Sequence, residues 1–331
     1  MAEPSSLIVA ADAHIEWSRR PNLGLPSAAA PVGAEPLALH GRATSAQALV
    51  TIALSCLRQI ALNEAGVRAG SGESVHQMRV GLRRLRAALS IFKSVLQTGE
   101  FDGLKSELAW LTEQLAAARE YDVLIGVRRK FADVASGVTG AESAFTCELA
   151  RRQREAFARA SRAVTGARFE RLIGSWAIAL LSRTNEGGKG DLPVRNLARR
   201  VLERRTRRLL ERLERFSELG VVERHELRIF VKKLRYATGY FGALFPNRSG
   251  KRFSHALEAL QDTLGDLNDI AAHQRLALEL IEDNANDSCE SRRVAFAIGA
   301  LSGAEHAELR SVLATVPKLR ARLAHAPRFW R

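Results

Sequence analysis

Two stretches decide the fold: VHQMRVGLRRLRAALSIF from Val75 to Phe92, and RHELRIFVKKLRYATGYF from Arg224 to Phe241. Laid over one another at a shift of 149 residues, about a third of their positions are identical, and others exchange Arg for Lys or one aliphatic for another. Each has the spacing of an amphipathic helix. Val75, Met78, Leu82, Leu85, Leu89 and Phe92 form one apolar stripe, and Leu227, Val231, Leu234 and Phe241 form its counterpart. About 100° around each helix runs a second stripe, His76, Arg79, Arg83 and Arg86 in one copy and His225, Arg228, Lys232 and Arg235 in the other.

The match continues outward from these helices. The same shift sets a helix start near Thr44 over one near Pro193, and nearly the same shift sets LAAAREYDV, ending at Asp122 and Val123, over LGDLNDI, ending at Asp269 and Ile270. A period this long exceeds solenoid repeats of roughly 20–50 residues and points to a duplicated helical bundle. Helix stops are expected at Gly66 to Gly72, Thr98 to Asp102, Gly137 to Gly140, Asn185 to Gly190 and Phe245 to Gly250. Residues 1–42 collect Pro4, Pro21, Pro26, Pro31 and Pro36 among Ala, Ser and Gly, which predicts a flexible lead-in. The first repeat is then placed at 43–190 and the second at 191–325.

Composition agrees with an all-α fold. Hydrophobic residues make up 46% of the 331, enough for a core, while aromatics are only 6% and Ala, Leu, Arg and Glu dominate after the lead-in. The three cysteines, Cys56, Cys147 and Cys289, stand far apart with no CxxC pair, so a disulfide framework is not indicated. Glu3 and the short apolar run from Leu7 to Ala11 do not make a signal peptide, and no uninterrupted apolar stretch approaches the roughly 20 residues that cross a bilayer. An intracellular, soluble protein without a membrane partner is expected.

Charge supplies the functional clue. Fifty Lys and Arg (50) against 36 Asp and Glu leave +14, with a sequence pI near 10.6. Such an excess repels itself, and nucleic acid, anionic lipid or a phosphate polymer would offset it; a generally Arg-rich composition is the plainer explanation. Within the two basic stripes no acidic residue stands at i+3 or i+4, so like charges on successive turns oppose each other by a few tenths of a kcal/mol per pair. Salt bridges to neighbouring helices could relieve this, as could an external anion. Arg forks bind phosphate oxygens in bidentate fashion, and Lys adds a point charge. His76 and His225 are either structural or, when protonated, further phosphate donors. Neither has a His, Cys or carboxylate at i+3 or i+4, so no metal site or other cofactor is expected. Asp122 and Asp269 suit a helix N-cap, a salt bridge to a stripe Arg, or a pair of carboxylates that positions the cations or holds a divalent ion.

HQMRVGLRRLR, HELRIFVKKLRY, REYDV, LNDI and the twofold repeat together resemble the CHAD domain, the conserved-histidine α-helical domain, over the chain from about Thr44 to about Ala324. The resemblance implies two four-helix bundles related by pseudo-twofold symmetry, with a basic surface and central pore or groove that bind inorganic polyphosphate. Carried over by position, the ligand residues are His76, Arg79, Arg83, Arg84 and Arg86, with His225, Arg228, Lys232, Lys233 and Arg235 in the second copy. Arg84 and Lys233 lie off the stripe on an ideal helical wheel. Glu120 departs from the family pattern, where Asp is usual. Many relatives join this module to a CYTH-type triphosphatase domain; residues 1–42 are too short for one and hold no ExExK signature.

Three functions are thus in view. A polyphosphate-binding module, cytoplasmic on polyphosphate granules or nuclear in a nucleated cell, comes first. A nucleic-acid binder, taking RNA or DNA weakly, lacks helix-turn-helix spacing, a zinc finger and stacking aromatics. An enzyme on a phosphorylated substrate would need a P-loop, HExxH, GxSxG or similar machinery, and none of these motifs occurs.

Overall fold

Every residue of the two apolar stripes is buried: Val75, Met78, Leu82, Leu85 and Phe92 are 0% exposed, as are Leu227, Val231, Leu234 and Phe241. The helices built around them are α3 (Gly72–Ile91) and α9 (Val221–Phe241). The computed structural model describes residues 30–94, 96, 99, 101–130, 141–182, 192–245, 249–283 and 289–331, without the side chains at 127–130, 141–145 and most of 268–310. Before α3 come α1 (Ser45–Leu62) and α2 (Glu64–Arg68); after it come α4 (Asp102–Gln114), α5 (Ala116–Lys130), α6 (Ala141–Thr165) and α7 (Ala167–Ser182). α8 (Val194–Glu214) precedes α9, and α10 (Ser249–Asp283) and α11 (Cys289–His325) follow it, with 3₁₀ turns at Phe216–Glu218 and Gly242–Leu244. Among the described residues there is no strand, and one isolated bridge joins Thr44 to Pro193.

Local chemistry fixes the helix starts. Thr44 caps α1 in a capping box, its hydroxyl accepting from Gln47 N at 3.2 Å while its own N–H donates to Gln47 Oε1 at 3.0 Å. Ser71 caps α3 by accepting from Ser74 N. At α9 only half of such a box exists: Gly220 N donates to Glu223 Oε2 at 2.7 Å. Of the expected helix stops, that at Gly66 to Gly72 falls between α2 and α3 and that at Thr98 to Asp102 just before α4. Those at Gly137 to Gly140 and Asn185 to Gly190 lie outside the described residues, as does the middle of Phe245 to Gly250.

α1 packs along α3, α9 lies against α8 and α10, and α10 runs beside α11. The α1–α3 crossing is close because position 81 is glycine: a Cβ there would lie 2.8 Å from Ile60 Cγ1 and 3.3 Å from the Cys56 carbonyl. Against the expectation from the sequence, Ser45–Arg68 is long and apolar enough by composition to cross a bilayer; 56% of its most apolar window is buried inside the protein, where Ile52, Ala53, Cys56 and Ile60 form core. Residues 1–29 of the expected flexible lead-in lie outside the described residues. Residues 30–42 run along α1: Val32 N donates to Asn63 Oδ1 at 3.1 Å, Asn63 Nδ2 returns a bond to Val32 O at 2.8 Å, Glu35 pairs with Arg58 and Leu39 is buried.

Two contacts join positions 149 apart in the sequence. Ser45 N donates to Leu192 O and Val194 N to Ala43 O, both at 3.0 Å, around the Thr44–Pro193 bridge. α3 and α9 also meet, where Phe92 lies on Phe241 with ring centroids 5.8 Å apart. Each of these contacts is centred on residues 149 apart in the sequence. Behind α8 the last residues fold back: Trp330 Nε1 and Arg331 Nη2 donate to the Glu203 carboxylate at 3.0 and 2.9 Å, Arg328 pairs with it too, and Trp330 packs on Phe253.

Candidate polyanion-binding site

The basic edge of α3 is flanked by α5, so His76, Arg79 and Arg83 are half-buried and not simply solvated. His76 stands among Arg119, Glu73, Arg83 and Arg79; burial first, then the charges of these arginines, lower its pKa below the ordinary value despite Glu73. Arg79 is more enclosed. Its Nη1 donates to Thr112 O at 3.1 Å, while burial and the charges of Arg83 and Arg119, against that of Glu120, pull its pKa down to about 10, still fully charged at neutral pH. Arg83 is half-buried and Arg86 exposed.

On α9, His225 is exposed, and Arg228, Lys232, Lys233 and Arg235 are half-buried. The guanidinium of Arg235 lies 5.8 Å from the Tyr236 ring centroid. The two rows approach one another toward their C-terminal ends, where burial and then the charges of Arg205 and Arg86 lower the pKa of Lys233. Buried Nε–H groups of Arg79, Arg83 and Arg235 have no hydrogen-bond acceptor, and among the described residues Arg79, Arg83, Arg86 and Arg235 form no ion pair. Arginines elsewhere do pair: Arg151 and Arg152 with Glu148, and Arg168 with Glu107.

Two sequence expectations change. Arg84, carried over as a ligand residue, is 5% exposed and points into the protein, where its Nη1 donates to Gln59 Oε1 at 2.6 Å. Gln59 is itself anchored on Gln77, and the Arg84 carbonyl accepts from Tyr240 OH at 2.8 Å. An off-stripe position on the helical wheel meets core, which explains the burial. Second, Asp122 is no cap of its own helix, since it stands well inside α5; its carboxylate binds Arg119 at 2.7 Å instead of a stripe Arg. The same carboxylate lies over the first residue of α3, so close that a Cβ on Gly72 would be 2.7 Å from Oδ1. It thereby places negative charge at a helix N-terminus and holds Arg119 beside His76. Asp269 falls inside α10, so it does not cap that helix, and its side chain lies outside the described residues. No cluster of three or more His, Cys, Asp or Glu exists among the described residues.

Sequence reasoning passed over Arg119 and Arg205. Arg119 was legible as the i−3 partner of Asp122. Arg205 sits at a core register of α8, among buried Leu202, Thr206 and Leu209, and an Arg in that register was the available signal.

The family model of the CHAD domain matches residues 51–278. Among solved structures, the crystal structure of the CHAD domain from the plant Ricinus communis superposes with a TM-score of 0.77 at 28% identity, over 90% of this chain and 99% of that one. PptA from Streptomyces chartreusis shares the fold, with a TM-score of 0.62 at 17% identity over 84% of this chain and 99% of its own. No curated protein matches. The repeated His-bearing helices, the all-helical architecture and a family match over most of its length agree, and the chain belongs to the CHAD domain family.

Proposed function

We propose that this chain is a binding module for inorganic polyphosphate, built as two related four-helix bundles that set their basic helices around one shared groove. The observation that carries the reading is the set of guanidinium groups without an ion pair among the described residues, Arg79, Arg83, Arg86 and Arg235, three of them with a buried Nε–H lacking an acceptor there. An orphaned buried donor costs about 1–3 kcal/mol, and phosphate oxygens would remove that cost while neutralising the row. His76, Arg79, Arg83 and Arg86 act from one copy, and His225, Arg228, Lys232, Lys233 and Arg235 from the other. Arg84 serves as an internal brace. Asp122, through Arg119, is a positioning residue. The paired-bundle reading draws on the contacts between residues 149 apart, because equivalent positions meet one another at an isologous interface.

The module binds its ligand without cleaving it, gathers on polyphosphate granules in the cytoplasm or on nuclear polyphosphate in a nucleated cell, and takes RNA or DNA only weakly. Titration calorimetry with long-chain polyphosphate tests this: Arg79→Ala and Arg228→Ala each cost about 1–3 kcal/mol of binding. Unchanged affinity in the double variant removes the rows from the site. Equal affinity for single-stranded DNA of matched charge replaces the reading with unspecific polyanion binding, and shortening of the polymer in the presence of Mg²⁺ replaces it with catalysis.

A further inference from the structure

The seam between the repeats is chemically lopsided. In the first copy a single buried cation, Arg84, is met by an acceptor, Gln59 Oε1 at 2.6 Å, with the neutral thiol of Cys56 nearby. The positions 149 residues on from Cys56, Gln59 and Arg84 are Arg205, Arg208 and Lys233. There the acceptor has been replaced by a cation, and a second cation added. Arg205 is 8% exposed; among the described residues its Nη1 has no hydrogen-bond partner and its Nη2 reaches only Ser90 Oγ, at 3.5 Å. Lys233 lies near enough to both Arg205 and Arg86 for their charges to act on it. Burying a guanidinium without a carboxylate or a full set of acceptors is costly unless something else supplies the oxygens.

Ser90 is also the doorway to open space. Between the end of α3 and α8 runs a groove of about 1000 Å³, lined by Ser90, Lys93, Ser94, Arg200, Arg204 and Arg207 among others. Glu203 is on its wall as well, but its carboxylate is engaged by Trp330, Arg331 and Arg328. Among the described residues Arg200 and Arg204 form no ion pair. A groove at the upper end of small-ligand size, with guanidinium groups beside its apolar Ile91, Leu197 and Val201 and a buried, under-satisfied guanidinium behind Ser90, can take a compact anion carrying several phosphates.

We infer that Arg205, Lys233, Arg86 and Ser90 hold one phosphate group of a compact oligophosphate, a free di- or triphosphate or the end of a longer chain, whose remaining charge lies along Arg200, Arg204 and Arg207. The site occurs once per chain, since the equivalent place in the first copy is closed by Gln59. It rests in part on the polyphosphate reading, because Arg86 and Lys233 belong to both. What it adds is an end-group pocket with its own anchor.

The test uses tripolyphosphate, too short to follow the rows, with calorimetry and thermal unfolding. The wild-type chain binds one tripolyphosphate and its Tm rises with the ligand. Ser90→Asp places a carboxylate within reach of Arg205, so the ligand-free Tm stays level or rises while tripolyphosphate binding falls at least about tenfold. Arg205→Met loses binding similarly, and Ser90→Asp keeps the test open should that variant not fold. Long-chain polyphosphate affinity falls by a smaller factor than tripolyphosphate affinity in Ser90→Asp, since most of the row cations stand away from Ser90. Full tripolyphosphate binding by Ser90→Asp, two ligands per chain, no binding by the wild type, or an equal Tm response to sulfate at matched ionic strength each overturns the proposal. Long-chain affinity no greater than tripolyphosphate affinity leaves this site standing and removes the polymer reading.

Discussion

His76 heads the first basic row in a place where its proton is contested. Half-buried, with Arg119, Arg83 and Arg79 around it and only Glu73 opposing them, its imidazole is held below its ordinary pKa of 6.5. A histidine whose folded-state pKa is depressed contributes stability above the unfolded value and loses it as pH falls through the folded one. A phosphate chain laid on the row reverses the local field and raises the same pKa. Ligand-free stability therefore declines, and polyphosphate affinity grows, as pH is lowered from above 6.5 through the depressed value. His76→Gln flattens both trends across that window in paired unfolding and binding measurements; a pH response of affinity equal to wild type places the coupling elsewhere. At this scale the sequence disclosed the stripe and concealed what lies behind it. Arg79, Arg83 and Arg86 share an edge by helical arithmetic alone. That Arg84 turns inward to Gln59, or that Arg205 occupies a core register, depends on which helix packs there, and no spacing rule contains that.

Helices were the most legible level, because two independent signals coincide at each. The 3.6-residue apolar period defined α3 and α9, and the breaks near Gly66 to Gly72 and Thr98 to Asp102 fell where glycine and turn residues interrupt it. The role of Gly81 was not legible, since a glycine inside a helix lowers its propensity and gives no sign of a partner. Its reason is the crossing of α1 over α3, where added volume would meet Ile60 Cγ1 at 2.8 Å and the Cys56 backbone at 3.3 Å. Backbone cannot yield as a side-chain tip can. Gly81→Ala should therefore cost about 1–3 kcal/mol through overpacking, against the stabilisation of up to about 1 kcal/mol that propensity alone would give. Denaturant unfolding decides the sign, and a stabilised variant would mean that α1 moves freely off α3.

Across the whole molecule, the shift of 149 residues found in the sequence reappears as contacts, since Thr44 bridges Pro193 and Phe92 lies on Phe241. What the shift could not announce is the unequal chemistry at that seam, for Cys56 and Arg205 are equivalent by position and opposite in consequence. The net charge of +14 acts at this scale too, in two directions. Without ligand, cations repel one another through and around the fold, and added salt screens that repulsion within a Debye length of roughly 8–10 Å at physiological strength. With polyphosphate, the same cations displace counterions from the polymer, and added salt opposes their release. Raising NaCl from 50 to 200 mM, in the absence of multivalent anions, should thus raise the Tm of the free protein while weakening polyphosphate binding steeply. Each row cation replaced by alanine should reduce the slope of log affinity against log salt by about 0.7, the value for single-stranded polyanions. Arg84→Ala should leave that slope unchanged, because its guanidinium is bound inside the protein, even though the variant loses stability. A slope that falls equally for Arg84 and Arg79 would mean that affinity follows total charge and that the rows have no special claim on the ligand.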